Sequence, residues 1–391
     1  MRHLRRQHRA SAGFSMVEIM VGVLIGMVSA IVMMQVLSLS EGQKRAATGG
    51  SDAQTSGAIA LQTLQRDIRE AGYELGFGSL GTTPIGCKLT IALPASGATV
   101  TLNSLAPVTI NHPDLAATGP DPGTDTLLVV AGSGNYAPDG DAILGGISPN
   151  YAIRSNMAFL VGDRVIASSP HDPNAVCGVT LNLDRVATAP SGYSFNVGVA
   201  NFVPGSKVLY NLGPSPIIRA YAVRGGKLTV CDYTANDCGA AANANNAGVW
   251  VPIADGIVSL RAEYGRDVLA ASPPPPGLSN YSANTFDQTT PTTACGWLRV
   301  PVVRAVLVAR AGQMERQVVT FTQRNVDNQT PNAPTVPNAP TWAGDATAPL
   351  VSSLGALGPD AADDEPWKHY RYKAFETVVP IRTLTYAKPS C

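Results

Sequence analysis

The residues of this 391-residue chain that could do chemistry are few and lie far apart. Beyond residue 13 there are three histidines, His112, His171 and His369, and none has the HExxH spacing of a zinc protease. The sequence also lacks a GxSxG nucleophile elbow and a P-loop. A Ser-His-Asp site could still assemble from distant residues. Because no motif favours such a site, we predict a protein that is not an enzyme and has no cofactor.

Two pairs of acidic residues could offer oxygen ligands to calcium, Asp121 with Asp125 and Asp139 with Asp141. Neither pair has the spacing of an EF-hand loop. Aspartates beside glycine and proline are typical of turns, and we therefore predict no metal site.

Six cysteines lie downstream of an apolar segment near the start of the chain: Cys87, Cys177, Cys231, Cys238, Cys295 and Cys391. In an exported domain, this even number predicts up to three disulfides. Cys231 and Cys238 would close a small loop and are the preferred local pair, whereas the sequence leaves the other pairings open. None of the six forms a CxxC motif, which argues against a zinc ribbon or a thioredoxin-like site.

One carboxylate stands inside that apolar segment. Phe14 to Leu37 is apolar except at four positions, of which Glu18 alone is charged. At ~1.5 Å per residue the segment would form a helix of roughly 36 Å, which spans the ~30 Å hydrocarbon core of a bilayer. A charge in a membrane helix costs about 2.5–3.5 kcal/mol on insertion scales and usually marks a function. A free amine on Phe14, created by cleavage, would be the most economical partner for Glu18.

The residues before the apolar segment indicate its orientation. Residues 1–13 carry four arginines and should stay cytoplasmic under the positive-inside rule. The chain after Leu37 would then lie in the periplasm of a Gram-negative cell, attached to the inner membrane by a single pass. An ordinary secretory signal would have a shorter apolar core followed by small residues, whereas here the Gly13–Phe14 junction precedes the apolar segment.

The order Gly13-Phe14-Ser15-Met16-Val17-Glu18, followed by an apolar stretch, resembles the class III signal of type IV pilins and type II secretion pseudopilins. The resemblance implies that a prepilin peptidase cuts after Gly13 and that Phe14 becomes the methylated N-terminus. It also implies that Glu18 neutralises the N-terminus of a neighbouring subunit during assembly.

Charge and composition limit what the rest of the chain can be. Without the four leader arginines, 24 basic and 28 acidic residues remain, a net charge of −4 (24 − 28). This balance gives no electrostatic support for nucleic-acid binding. Abundant glycine (38) and proline (30), with only 6% aromatic residues, favour turn-rich β structure over a helical bundle.

The predicted fold class is α+β, with a long N-terminal transmembrane and amphipathic α-helix packed on an antiparallel β-sheet domain. We divide the chain into a leader (1–13), a transmembrane helix (14–37), an amphipathic continuation (38–76) and a periplasmic β-rich domain (77–391). The continuation carries an apolar stripe at near-helical spacing: Ile59, Leu64, Ile68, Ala71 and Leu75. Residues 325–366, rich in Pro, Ala and Asp, are predicted to form a mobile surface loop.

Short runs with β-like composition follow Pro84. The predicted strands are Thr126–Ala131, Ala158–Ala167, Val176–Leu183, Lys207–Leu212, Ile217–Val223, Leu228–Asp232, Val249–Ile253, Ile257–Tyr264, Val300–Ala311, Glu315–Thr322 and Phe375–Leu384.

Five segments, in this order along the chain, resemble the PilW group of minor pilins: residues 67–73, 123–127, 250–257, 303–310 and 369–382. The resemblance implies a structural, non-catalytic minor pilin that takes part in assembly or initiation of the type IV pilus and in twitching motility. Its implied partners are other minor and major pilins, the prepilin peptidase, the inner-membrane assembly platform and the lipid bilayer. A type II secretion pseudopilin and a pilus-tip adhesin or binding module remain alternatives.

Overall fold

The structure, a computed structural model, describes residues 15–76, 82–94, 97–116, 118–134, 136–146, 149–154, 158–198, 205–268, 282–316, 318–320, 339–346, 349–350 and 366–381. It divides the chain into two compact units, Met1–Ser51 and Asp52–Cys391. The α+β prediction is confirmed, because one long apolar helix is followed by largely antiparallel sheets.

The first helix, α1, runs from Met16 to Glu70. In the first unit its apolar side chains between Met16 and Leu37 are exposed. By length and composition, α1 is the one helix among the described residues that could cross a membrane. A buried core does not account for these side chains, and a lipid environment would cover them.

In the second unit α1 buries a stripe of small and branched side chains. Ala53, Ala60, Leu64 and Ile68 belong to the main hydrophobic core, at the spacing of one helical face. Ile59, which we expected in this stripe, is 54% exposed, and Ala60 takes the buried position. The small residues let the helix approach a strand closely, since a Cβ at Gly57 would lie 2.2 Å from the Phe375 ring.

The helix ends at Glu70, earlier than the predicted end near Gly76. Gly72 adopts a positive φ of 76°, which ends helices at low steric cost. Its N–H donates to the Val130 carbonyl at 2.7 Å, and the Gly132 N–H donates to the Tyr73 carbonyl at 2.8 Å. The backbone after Glu70 therefore binds the end of a strand, although Leu75 is buried as predicted.

Seventeen strands, two short α-helices and two single 3-10 turns, Ala241–Asn243 and Pro366–His369, follow in the described residues. The strands are β1 (Lys88–Ala92), β2 (Thr99–Leu102), β3 (Val108–Ile110), β4 (Leu127–Ala131), β5 (Asp141–Gly145), β6 (Asn150–Ile153), β7 (Arg164–Ser168), β8 (Thr180–Arg185), β9 (Ser194–Asn196), β10 (Val208–Asn211), β11 (Ile217–Arg224), β12 (Lys227–Asp232), β13 (Val251–Asp255), β14 (Ile257–Arg266), β15 (Thr285–Asp287), β16 (Val302–Arg310) and β17 (Tyr372–Pro380). The short helices are α2 (Pro113–Ala116) and α3 (Ala294–Leu298).

The described strands form three sheets. Their orders are β2-β1-β8-β7-β10-β5-β6-β9, β13-β12-β11-β4-β3 and β15-β14-β16-β17. Pairing is antiparallel except between β1 and β8, where Lys88 lies opposite Thr180 in a parallel register. The prediction of an antiparallel domain therefore needs this one correction within the described strands.

Two of the predicted strands, Ala158–Ala167 and Glu315–Thr322, differ from the structure. The described part of Glu315–Thr322 is not a strand, because the Glu315 and Thr320 N–H groups donate to the carbonyls of His369 and Lys368. The run predicted from Ala158 begins as a strand only at Arg164. Asp163 closes a turn there by accepting the Leu160 N–H at 2.8 Å.

Strand β16 of the third sheet is buried on both faces. Alternate β16 side chains, Val303, Ala305 and Leu307, join the main core, whereas Val306 and Val308 face a separate cluster. This period of two is the ordinary geometry of a strand. Both faces are therefore covered by other parts of the chain.

The cover of the second face comes from the segment predicted as a mobile loop. Within the described part of 325–366, Trp342 and Leu350 are buried, and both pack in the cluster with Val306. The Ala343 N–H donates to the Glu376 carboxylate on β17 at 3.2 Å. For residues 339–346 and 349–350, the expectation of a solvated loop is thus corrected to a packed cover over the sheet.

A buried carboxylate on β8 makes the stability of the domain depend on pH. Asp184 is 4% exposed, and its Oδ1 has no hydrogen-bond partner among the described residues. Burial raises the pKa of Asp184 to about 7, whereas an unfolded chain ionises aspartate near pH ~3.9. Since the folded state holds this proton longer, the stability contributed by Asp184 falls as the pH rises from about 4 to 7.

We therefore expect Asp184→Asn to be relatively more stabilising at pH 8 than at pH 4. The gain in free energy of unfolding over the wild-type chain should be larger by about 2–4 kcal/mol at the higher pH, given ~1.4 kcal/mol per pKa unit. Denaturant unfolding of both chains in detergent micelles at the two pH values measures this difference. The exposed Asp139→Asn is the control and should show little change between them. An equal effect of Asp184→Asn at both pH values would contradict the prediction.

Candidate assembly site

Glu18 lies in the first turn of α1. The Ser15 carbonyl accepts the N–H groups of Glu18 at 2.9 Å and Ile19 at 3.2 Å, so Ser15 stands at the N-cap and Glu18 is the third helical residue. Ser-x-x-Glu is the residue order of a capping box. A carboxylate in this turn also interacts favourably with the positive end of the helix dipole, by about 0.3–1 kcal/mol at exposed sites. The position of Glu18 therefore suits helix capping, and the assembly role that the resemblance implies stays a prediction.

The two residues of the predicted processing site, Gly13 and Phe14, lie outside the described residues. The cut and the methylation therefore stay predictions. Glu18 is exposed on the surface of α1, where a group from another subunit could reach it.

A second group of polar residues fixes α1 to the second sheet. Asp67 is fully buried, and its Oδ2 accepts hydrogen bonds from Arg219 Nη1 at 3.0 Å and from the Tyr221 hydroxyl. Both partners come from β11. Burial and the adjacent Asp67 carboxylate raise the pKa of the Tyr221 hydroxyl, so it remains a proton donor. A buried carboxylate with two donors is satisfied and sets the position of the helix along β11.

Sequence reasoning singled out residues 67–73 by their resemblance but not this pairing. Asp67 falls among charged residues, Arg66, Arg69 and Glu70, that are exposed. Its helical position beside Leu64 and Ile68, which are buried, is the signal that could have identified it as an inward-facing charge.

Asp125, considered above as a calcium ligand, has a structural partner set. Its carboxylate accepts the Ala262 N–H at 2.9 Å, Asn111 Nδ2 at 2.9 Å and Gln288 Nε2 at 2.7 Å. These bonds tie the turn before β4 to β14. Two of the segments that resemble PilW-type proteins, 67–73 and 123–127, therefore each contain a buried aspartate that links its segment to another element.

The structure contains the local disulfide preferred from the sequence and a second, long-range disulfide. Cys231 bonds to Cys238, and Cys87 bonds to Cys177 across 90 residues. Cys295 is also disulfide-bonded, and Cys391 lies outside the described residues. The Cys87–Cys177 bond joins the starts of β1 and β8, the parallel pair.

The three histidines do not meet in one site. His112 Nδ1 lies 3.5 Å from an Asp114 carboxylate oxygen, and His369 Nδ1 lies 2.9 Å from the Glu315 carbonyl. His171 Nε2 lies 3.8 Å from Cys87 Sγ. Each thus has a local partner in a different part of the fold.

One surface cleft borders the helix in the second unit. It encloses about 340 Å³ and is lined by Thr63 of α1 and by side chains of β11, β12 and β13, among them Arg219, Val230 and Ile253. The cleft lies beside the Asp67 contacts, but its lining carries no arrangement of acid, base and nucleophile.

Comparison with known proteins places part of the chain in context. Residues 227–383 match the family described as Type IV Pilus-assembly protein W, PilW. The resemblance to PilW-type proteins predicted from the sequence is thereby confirmed over this stretch, which is less than half of the chain. It contains β12 to β17 and, in full, three of the five segments that resemble PilW: 250–257, 303–310 and 369–382.

The whole-chain comparisons add little to this match. A solved structure of a type IV-like pilin from Thermus thermophilus is similar at 12% identity, covering 58% of this chain and 86% of that one, with a TM-score of 0.20. A superposition of that quality carries no argument here. Among curated proteins, no sequence matches the chain.

Proposed function

We propose, with the PilW match of residues 227–383 as the premise, that this chain is a minor pilin that takes part in type IV pilus assembly or initiation. The observation that carries the proposal is the coincidence of two independent features. The leader and Glu18 resemble a prepilin signal, and a separate part of the chain, at the other end of the sequence, matches a pilus-assembly family. A non-catalytic role is consistent with both.

The proposed processing begins at the leader. A prepilin peptidase cuts after Gly13 and methylates Phe14, while α1 holds the chain in the inner membrane. The β-rich domain then lies in the periplasm, with residues 77–391 as its body. On assembly, the inner-membrane assembly platform moves the chain into the filament. Helix α1 then leaves the bilayer and packs among the helices of other minor and major pilins.

Glu18 supplies the charge for this step. The new amine of Phe14 on a neighbouring subunit is a cation at the depth of Glu18 in the membrane. Pairing removes the cost of about 2.5–3.5 kcal/mol that an unpaired carboxylate pays there. Because pairing between subunits relieves this cost, it favours docking over the free membrane state.

Substitutions at Glu18 separate this role from capping. Glu18→Gln keeps a side chain that can complete a capping box but removes the charge, and Glu18→Ala removes both. We expect both variants to lose most surface pili in a host strain without the wild-type copy, counted by electron microscopy. Glu41→Gln, a matched change further along the same helix, should assemble normally.

If Glu18→Gln assembled as many pili as the wild-type chain, Glu18 would be a helix cap and the assembly role would be wrong. Intact pili with lost protein secretion would instead favour the type II pseudopilin.

A further inference from the structure

Three side chains with soft or borderline ligand atoms converge at the start of the parallel strand pair. Cys87 precedes β1, while His171 and Cys177 lie in the segment between β7 and β8. The two sulfur atoms and a ring nitrogen of His171 all lie within 4.8 Å of one another. Cys87 is fully buried, Cys177 is nearly so, and His171 is half-buried, so the imidazole forms the solvent side of the group.

The imidazole is oriented by the backbone. His171 Nδ1 lies 3.3 Å from the Ser169 carbonyl, an acceptor that fixes a hydrogen on Nδ1 and leaves the lone pair on Nε2. That nitrogen lies 3.8 Å from Cys87 Sγ. Histidines that bind metals almost always donate their other ring N–H to a carbonyl or carboxylate in this way.

We propose that reduction of the Cys87–Cys177 disulfide converts this group into a site for a thiophilic divalent cation of the zinc class, held by both thiolates and His171 Nε2. Two thiolates and one imidazole are ligands that zinc prefers, and three protein ligands leave the fourth tetrahedral position for water. In the disulfide both sulfur atoms are already bonded to each other, so the oxidised chain lacks two of the ligands.

A dithiol is the reductant of the Cys87–Cys177 bond. The dithiol transfers two electrons and two protons, becomes a disulfide itself, and leaves Cys87 and Cys177 as thiols. The cation then binds both sulfurs and displaces the two thiol protons to solvent. Reoxidation of the thiols would release the cation by removing its sulfur ligands.

The consequence for the fold is that one cross-link replaces another. The disulfide joins two points 90 residues apart, beside the parallel pairing of Lys88 with Thr180. A cation bound to Cys87, Cys177 and His171 would join the same two segments. The starts of β1 and β8 would thus stay linked when the disulfide is lost.

Zinc binding by the full chain in detergent micelles tests the proposal. After reduction with a phosphine and removal of the reductant without air, the chain should retain one Zn²⁺ that the oxidised chain does not retain. With Co²⁺ as a probe, the reduced chain should show thiolate-to-cobalt charge-transfer absorption. His171→Ala should weaken zinc affinity by at least about 10-fold, the lower end of the loss seen when even outer-shell partners are removed.

Controls separate this site from the other thiols that the phosphine releases. Cys231→Ser with Cys238→Ser, and Cys295→Ser alone, should leave the zinc affinity unchanged. His171→Ala keeps all six cysteines and can form its disulfides before reduction, so its result does not depend on the folding of a cysteine variant. A reduced chain that retains no zinc, or that retains it equally well after His171→Ala, would overturn the proposal.

Discussion

Replacing Asp67 with alanine is expected to lower the free energy of unfolding of the β-rich unit by about 3 kcal/mol. Removing one partner of a buried ion pair typically costs ~3–5 kcal/mol, because the other charge remains without compensation. The Arg219 side chain is 35% exposed and can regain some hydration when Asp67 is removed. We therefore expect the loss of stability to lie at the lower end of this range. The Tyr221 hydroxyl is buried and also loses an acceptor, and the cost of an unsatisfied buried hydroxyl, about 1–3 kcal/mol, is part of this total.

The matched control for this prediction is Asp52→Ala. Asp52 is an exposed aspartate of the same helix, and a surface change of this kind usually stays within about 0.5 kcal/mol. Denaturant unfolding followed by tryptophan fluorescence compares the two variants with the wild-type chain. Equal stabilities of the two variants would show that the Asp67 contacts do not hold the helix to β11.

The second large effect is expected from the long-range disulfide. Replacing both Cys87 and Cys177 with serine should lower the free energy of unfolding by about 4–5 kcal/mol, since the bond closes a loop across 90 residues and restricts the unfolded chain accordingly. The bond between Cys231 and Cys238 spans a sequence separation of only 7. The same chain-entropy relation gives about 2 kcal/mol for its removal.

The order of these two losses is the informative result. Both double variants remove one disulfide and introduce two serines, so the difference between them reflects mainly loop length and local packing. Unfolding of the two oxidised variants and the wild-type chain in parallel measures it. A larger loss from the Cys231–Cys238 pair would mean that local strain or packing, and not loop closure, determines what these bonds contribute.

The helix, the fold class and the preferred local disulfide could be predicted from the sequence because each depends on a local pattern. The segment before Leu37 is apolar without interruption by proline, and the longer strands, such as β11, β14 and β16, are apolar runs between turn signals. Strands β2, β5 and β9 are short, and their residues are at most partly buried apart from Leu102 and Phe195. Their pairing depends on distant partners, which no local pattern specifies.

The contacts that position α1 were harder to predict for the same reason. The sequence predicts Ile59 in the buried stripe because large apolar residues signal a buried face. The helix instead buries Ala60 and approaches Phe375 closely at Gly57. The role of Asp67 depends on two residues of β11, more than 150 positions away in sequence. In the predicted loop 325–366, Trp342 was the one large aromatic side chain amid Pro, Ala and Asp, and it is buried against β16.

The proposed minor pilin role is tested most directly by the mass of the N-terminal peptide of this chain in pili sheared from the cell surface. Assembly through the processed helix predicts that the chain is present in the filaments and that its first residue is Phe14 carrying one added methyl group. Filaments that lack the chain, or that contain it with residues 1–13 still attached, would contradict the role proposed for Gly13, Phe14 and Glu18.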